Sequence, residues 1–317
     1  MTTLYDIDFD FELQDGFRDF SFKHIAFGDV DPIYTMVRNS GLSHEDKKRF
    51  IFSHLMVYDL KSSIALANEP DDDKYYDKLL QLFTEAKVGK DRKDVASRET
   101  NIKSRVFGTQ LPKLRNQSPE DWVQCAIDET VKHKSWSASL SASKKIPTFG
   151  EYFSFKLADM IETVFDIPEY SVQWGPDFLK SVPRGSLTGY EMVRTGSNHK
   201  FRTKEEIRKC SLMATFYINQ VEFFKDYVCP QNPNRVIGVQ EIETLLCDYR
   251  KLRKGTLQHG DKVLKLKHGI DHNIDLRIAQ DLLIGAEPML QRREELLRVG
   301  INNVDQSCCA KLDRKSE

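Results

Sequence analysis

The sequence predicts an all-α protein with one large helical domain. Three observations point there. Apolar residues recur at i, i+3, i+4 and i+7 along most of the chain, the spacing of one helix face. Helix-start signatures stand at Asp31-Pro32, Ser118-Pro119, Thr148 with Glu151, and Thr203 with Glu206. Eleven prolines and sixteen glycines in 317 residues are few, which suits long helices and short joints. The expected layout is an aromatic, acidic arm over residues 1–28, a helical domain over 29–300 and a polar tail over 301–317.

The elements follow in chain order. Alternation in Asp6–Leu13 reads as a strand of a minor hairpin or as an irregular arm. Asp31-Pro-Ile-Tyr34 reads as a helix start, with Asp31 as N-cap and Pro32 first in the helix. Ser43 begins a helix through about Ala67, in which His54 reads as a satisfied core histidine. Asp71–Val88 is a further helix. Gly89–Arg115 reads as a basic loop carrying Arg98, Arg105, Phe107 and Gly108. Ser118, Pro119 and two acids start the next helix. A Thr148–Glu151 capping box starts Phe149–Phe165, where Phe153, Leu157, Met160, Ile161 and Val164 form an apolar stripe. Tyr152, Lys156, Asp159 and Thr163 make a separate polar ridge, either a surface ion pair with neighbours or the lining of a polar cavity.

Trp174–Lys180 and Pro183–Gly189 read as a compact Gly/Pro-rich element where backbone approaches a ligand and Arg184 grips a phosphate. A helix from Thr203 to about Val228 follows, broken by Pro230 and Pro233. Glu241–Asp261 is the most informative stretch. Ile242, Leu245, Leu246 and Tyr249 make its apolar stripe, and Gly255 closes it in the left-handed conformation. A buried Cys247, Asp248 and several cations collect near that end, followed by a turn with His259, Gly260 and Asp261. Lys265, Lys267 and His268 read as loop. Helical periodicity returns from Asn273 to Val299, with Pro288 expected to kink or split it. Cys308 and Cys309 fall in the tail, outside any structural pattern.

Composition narrows the classes. Apolar residues are 40% and charged residues 30% of the chain, as in ordinary globular proteins. No apolar run reaches the roughly 20 residues of a membrane span. The first fifteen residues lack the cationic start and apolar core of a signal peptide, so a cytoplasmic location is expected. The six cysteines show no paired CxxC spacing, which favours reduced thiols and disfavours zinc. The net charge of −1 carries no nucleic-acid signal, but three windows are basic. Residues 90–115 hold eight Lys/Arg against three acids, 178–210 eight against three, and 250–268 seven against one. They are either solvated faces or a surface for a phosphate-rich ligand.

Glu243-Thr-Leu-Leu-Cys247-Asp248-Tyr249-Arg-Lys251, Gly255 and Gly260-Asp261 resemble the C-terminal signature of a phage family. The family comprises the α-glutamyl/putrescinyl thymine pyrophosphorylases and related amino acid:DNA transferases of thymine hypermodification. Asp31-Pro-Ile-Tyr34, Arg105-Val-Phe-Gly108, Phe153–Glu162 and Pro183–Gly189 are similar to its other motifs. The resemblance implies an all-helical enzyme distantly like helical DNA glycosylases. It also implies a substrate: thymine in double-stranded DNA whose hydroxymethyl group carries pyrophosphate. The implied reaction is attack by an amino acid or polyamine amine at the exocyclic methylene, with release of pyrophosphate.

That chemistry needs cations for the leaving group, and Arg105, Lys156, Lys180, Arg184 and Lys251 are the candidates. It needs a group to relieve the ammonium of a proton, with Asp159 first and Asp248 or His259 second. It needs an aromatic wall for an extruded base, for which Tyr152, Trp174 and Tyr249 are available. No cofactor is called for, and Mg²⁺ enters only as a ligand of the pyrophosphate. Other phage base-modification enzymes are expected partners. Two competing readings are a base-excising glycosylase and a non-catalytic DNA-binding scaffold. A glycosylase of this kind usually carries a Gly-rich helix-hairpin-helix turn before a catalytic Asp, and the sequence lacks that turn.

Overall fold

The computed structural model describes residues 11–88, 104–196 and 211–311. Helices dominate them: α1 Phe11–Ala26, α2 Pro32–Asn39, α3 His44–Val57, α4 Leu60–Ala67, α5 Asp72–Val88, α6 Ser104–Leu114, α7 Pro119–His133, α8 Trp136–Ser143 and α9 Glu151–Phe165. There follow α10 Pro176–Ser181, α11 Arg184–Thr195, α12 Ser211–Phe224, α13 Val239–Arg253, α14 Asp261–Asp271 and α15 Arg277–Val299. The only sheet among the described residues is the antiparallel pair β1 Val228–Cys229 and β2 Asn232–Val236. The all-α expectation holds. No helix among the described residues is long and apolar enough to cross a membrane.

Several local expectations are corrected. Residues 1–10 lie outside the described residues, and Phe11–Ala26 is a helix that buries Phe17 and Phe20, in place of a strand or irregular arm. The hairpin sits at Val228–Val236, where Pro230 and Pro233 flank a tight reversal. Ser43 caps α3 as expected, but the helix stops at Val57. Tyr58 turns left-handed there, with φ 52°, and Asp59 caps α4 afresh. Asp31, just before α2, has φ 36°, and its carboxylate accepts from Thr244 Oγ1. Thr148 has φ 78° and its hydroxyl turns to Met56 Sδ, so Gly150 is the uncapped N-cap of α9. The Thr203–Glu206 signature lies outside the described residues. Arg105, Phe107 and Gly108 belong to helix α6, and Lys265, Lys267 and His268 to helix α14. Pro288 does not split α15.

The chain divides into two compact units. The first comprises Met1–Asp31, Gln173–Lys262 and Gln291–Glu317; the second, Pro32–Val172 and Val263–Leu290. In the second unit α3 packs on α4, α7 and α9, and α2 on α9. Its core includes Phe50, Phe52, Tyr75, Phe155 and Leu157, all fully buried. His54 is buried there, its Nδ1 3.2 Å from Ser63 Oγ, the satisfied core histidine expected.

In the first unit α13 is central, contacting α1, α11 and α12. Ile242, Leu245, Leu246 and Tyr249 are buried, as their spacing predicts. Gly189 decides how closely α11 approaches: a Cβ there would stand 1.9 Å from the Leu246 carbonyl oxygen. Gly185, one turn earlier, faces Cys247 Sγ, with its ideal Cβ at 2.5 Å. Both glycines thus leave room for α13 beside α11. Gly255 ends α13 with φ 66°, and Thr256 N–H donates back to the Lys251 carbonyl at 3.0 Å. Cys309, expected outside any structural pattern, is buried, its thiol 3.4 Å from the Phe22 carbonyl.

Candidate functional site

In the first unit the end of α13 carries a buried charge network. Asp248 is fully buried. Its carboxylate faces His24 Nε2 at 3.1 Å, Lys251 Nζ at 3.0 Å and the Lys262 ammonium. Lys262 also reaches Asp31 at 3.7 Å, and Asp31 accepts from Thr244 Oγ1 at 2.5 Å. On the far side of His24, Nδ1 lies 3.6 Å from Asp29, whose carboxylate accepts Gly260 N–H at 2.5 Å. The helix periodicity of α13 places Asp248 and Lys251 one turn apart. Helix α1 supplies His24, and Lys262 follows the His259–Asp261 turn.

Electrostatics assign states to these groups. Burial by itself raises the Asp248 carboxyl, but Lys262, Lys251 and His24 outweigh it and hold the group well below the usual range. Burial lowers Lys262, yet Asp248 and then Asp31 hold it above the ordinary lysine value. Asp248 is therefore a fixed anion and a poor proton acceptor. It clamps Lys251, whose side chain remains 40% exposed. His259 is brought down to about 4, first by burial and then by the charges of His24 and Lys23, so it is neutral at pH 7. Its ring packs on Phe20 and Phe27.

The opposite side of α13 faces α11. Glu243 is buried, with Cys247 Sγ 3.6 Å from its Oε1. Cys247, expected buried, is half-buried. Arg184 opens α11 and is exposed, and Lys180 is exposed on α10. Trp174 is half-buried and stacks on Tyr217 at 4.5 Å, so one of its faces is occupied. Tyr249 packs edge-on against Phe17 at 5.5 Å and is 3% exposed, which makes it a core ring rather than an open wall.

In the second unit helix α9 carries its own buried charges. Asp159 is 3% exposed, accepts from the Tyr34 hydroxyl at 3.1 Å and pairs with Lys156 Nζ at 3.5 Å. Lys156 is itself buried, its Nζ 5.7 Å from the Tyr34 ring centre. Glu162 is buried beside them, and the Tyr170 phenol is raised above its ordinary value by burial, then by Glu162 and Asp159. Of the two readings of the Lys156–Asp159 pair, the surface one is excluded by burial. The Tyr152 hydroxyl meets that of Tyr58 at 2.7 Å. The side chain of Arg105 lies outside the described residues.

The first unit thus brings Asp248 and Lys251 into one network, and Tyr249 and His259 against the same Phe20 ring. The second joins Lys156 to Asp159. Sequence reasoning missed His24, Asp29, Lys262, Glu243 and Tyr34 as site residues. Tyr34 and Glu243 were visible inside motifs, and Lys262 next to one. His24 and Asp29 gave no periodic or spacing signal.

No known protein-family model matches this chain. Over 247 residues the chain is 22% identical to the putrescinyltransferase of Delftia phage PhiW-14, covering 75% of this chain and 72% of that protein.

Proposed function

We propose that the protein is a transferase that joins an amine to a modified thymine in DNA with release of pyrophosphate. The observation that carries the reading is the likeness to a phage putrescinyltransferase along three quarters of the chain. The site chemistry supports it. In the reaction a C–N bond forms at the thymine methylene, the C–O bond to pyrophosphate breaks, and the attacking ammonium gives up a proton. Arg184, Lys180 and Lys251 are exposed or part-exposed cations for the departing charge. Asp159, in the second unit, is the first acceptor to test, because Asp248 is held as an anion by two ammonium groups and an imidazole. A diamine such as putrescine is the first donor to test, and free amino acids the second.

The test is incubation of the purified protein with duplex DNA carrying pyrophosphorylated hydroxymethyluracil and labelled putrescine, glutamate or glycine. Label in the nucleoside and an equal yield of pyrophosphate are expected. Release of free base instead would replace the transferase with a glycosylase, and neither product would leave a scaffold. Asp159→Asn should slow transfer most near neutral pH and least at high pH, where the amine arrives unprotonated. A loss independent of pH would remove Asp159 from proton transfer. EDTA reveals whether the pyrophosphate must carry Mg²⁺.

A further inference from the structure

We infer that the first turn of α11 and Arg250 of α13 form a diphosphate-binding clamp in the first unit. The inference deepens the function proposed above, on which its assignment to the leaving group rests.

Four observations converge. Helix α11 is 12 residues long, and its N-cap, Pro183, has no side chain able to cap it. The first intrahelical bond is Leu187 N–H to the Pro183 carbonyl, so the N–H groups of Arg184, Gly185 and Ser186 point out of the helix end without intrahelical acceptors. Such an end attracts anions. Second, the Arg250 guanidinium stands over this turn, with Nη2 3.9 Å from the ideal Cβ position of Gly185. Third, Arg250 has no acidic partner among the described residues, and its buried Nε lacks any acceptor. Among the described residues neither Arg184 nor Arg250 pairs with a carboxylate, whereas Arg38, Arg49, Arg235 and Arg277 all do. Fourth, the Tyr217 hydroxyl is fully buried, lies near Ser186 and has no hydrogen-bond partner of proper geometry.

A buried donor left without an acceptor is costly, more so when charged, and an anion seated here would satisfy it. Two guanidinium groups present planar forks that match phosphate oxygens two at a time. Gly185 is what lets the clamp assemble, since any side chain there would strike Cys247 and crowd Arg250. Glu243 is the negative group on the same side; it is buried beneath Cys247 and Thr244, with contacts at 3.6 Å and 3.5 Å. The excess of positive charge selects a multiply charged ligand over a monoanion. The clamp would therefore hold inorganic pyrophosphate more tightly than orthophosphate.

Calorimetric titration of the full chain with inorganic pyrophosphate, with and without Mg²⁺, tests this. Binding to the parent protein is expected, at least tenfold tighter than for orthophosphate or sulfate. Arg250→Gln and Arg184→Gln should each weaken it tenfold or more, Arg250→Lys less, and Arg298→Gln, an exposed cation elsewhere, not at all. Melting temperature and circular dichroism confirm folding; if Arg250→Gln fails to fold, the exposed Arg184→Gln and the charge-preserving Arg250→Lys still decide. No pyrophosphate binding by the parent, or parental affinity in folded Arg184→Gln and Arg250→Gln, would overturn the clamp. The two readings fail separately. Clamp-dependent pyrophosphate binding without amine transfer leaves the clamp and removes the transferase, whereas parental transfer by Arg184→Gln/Arg250→Gln removes the clamp and keeps the transferase.

Discussion

Asp248 shows what one buried charge demands of its surroundings. It is fully buried, and three cationic or hydrogen-bonding groups, His24, Lys251 and Lys262, converge on it from α1, α13 and the start of α14. Removing one partner of such a pair leaves an uncompensated charge, at a cost of roughly 3–5 kcal/mol. Asp248→Asn should lower stability by about that amount in urea unfolding, and Asp248→Asn with Lys262→Met should recover part of it. A change under about 0.5 kcal/mol, the scale of ordinary surface substitutions, would show that the network contributes little.

The same residues dictate acid sensitivity. Because Asp248 titrates lower when folded than when unfolded, its contribution is complete above the ordinary aspartate value and is lost as pH falls toward the folded one. His259 acts in the same direction from a higher window. Its folded value is about 4 against an ordinary 6.5, so between these the unfolded chain binds more protons and stability drops on acidification. Lys262, raised in the fold, contributes below the ordinary lysine value and loses that contribution above it. The melting temperature should decline from pH 6.5 to 4, and His259→Phe, which keeps the packing against Phe20 and Phe27, should flatten that slope. An unchanged slope would assign it to other groups.

At the scale of elements, α11 against α13 is the decisive contact. Alanine inside a helix normally stabilises relative to glycine by about 1 kcal/mol. At Gly189 the sign reverses, because the new methyl meets the Leu246 backbone, which cannot rotate away. Gly189→Ala should destabilise by about 1–3 kcal/mol, the range of overpacking, and loosen the close helix pair. Gly150→Ala, with nothing within 4 Å, supplies the control. Equal melting temperatures for the two variants would mean that α11 sits farther from α13. By contrast, Ser118 is an ordinary N-cap on α7, accepting Asp121 N–H at 3.0 Å, and Ser118→Ala should cost about 1 kcal/mol.

For the whole molecule, the proposed DNA substrate adds one expectation. If the basic windows carry phosphate contacts, affinity for duplex DNA should fall steeply with salt through counterion release. Affinity flat between 50 and 200 mM salt would argue for recognition of the base alone. Of those windows, residues 90–103 and 197–210 lie outside the described residues. The other parts include Arg184, which opens α11, and Arg250, whose Nη2 lies 3.9 Å from the ideal Cβ position of Gly185 in the same turn.

The sequence by itself determined the helical class, most helix positions and the apolar stripe of α13, because 3.6-residue periodicity and capping chemistry are local. It also determined that Asp248 and Lys251 lie one turn apart, and likewise Lys156 and Asp159. Tertiary structure decided the rest. Burial turned a formal Lys156–Asp159 surface pair into an interior one, and drew Tyr34 to it across 125 residues of sequence. His24 and Asp248 lie 224 residues apart, and no spacing rule connects them. Asp31 reads as a local helix cap in sequence, and only the fold brings Lys262 and Thr244 to its carboxylate. Gly189 of α11 reads as ligand-facing in sequence, yet packing claims it, because steric exclusion depends on the Leu246 backbone that another helix brings to within 2 Å.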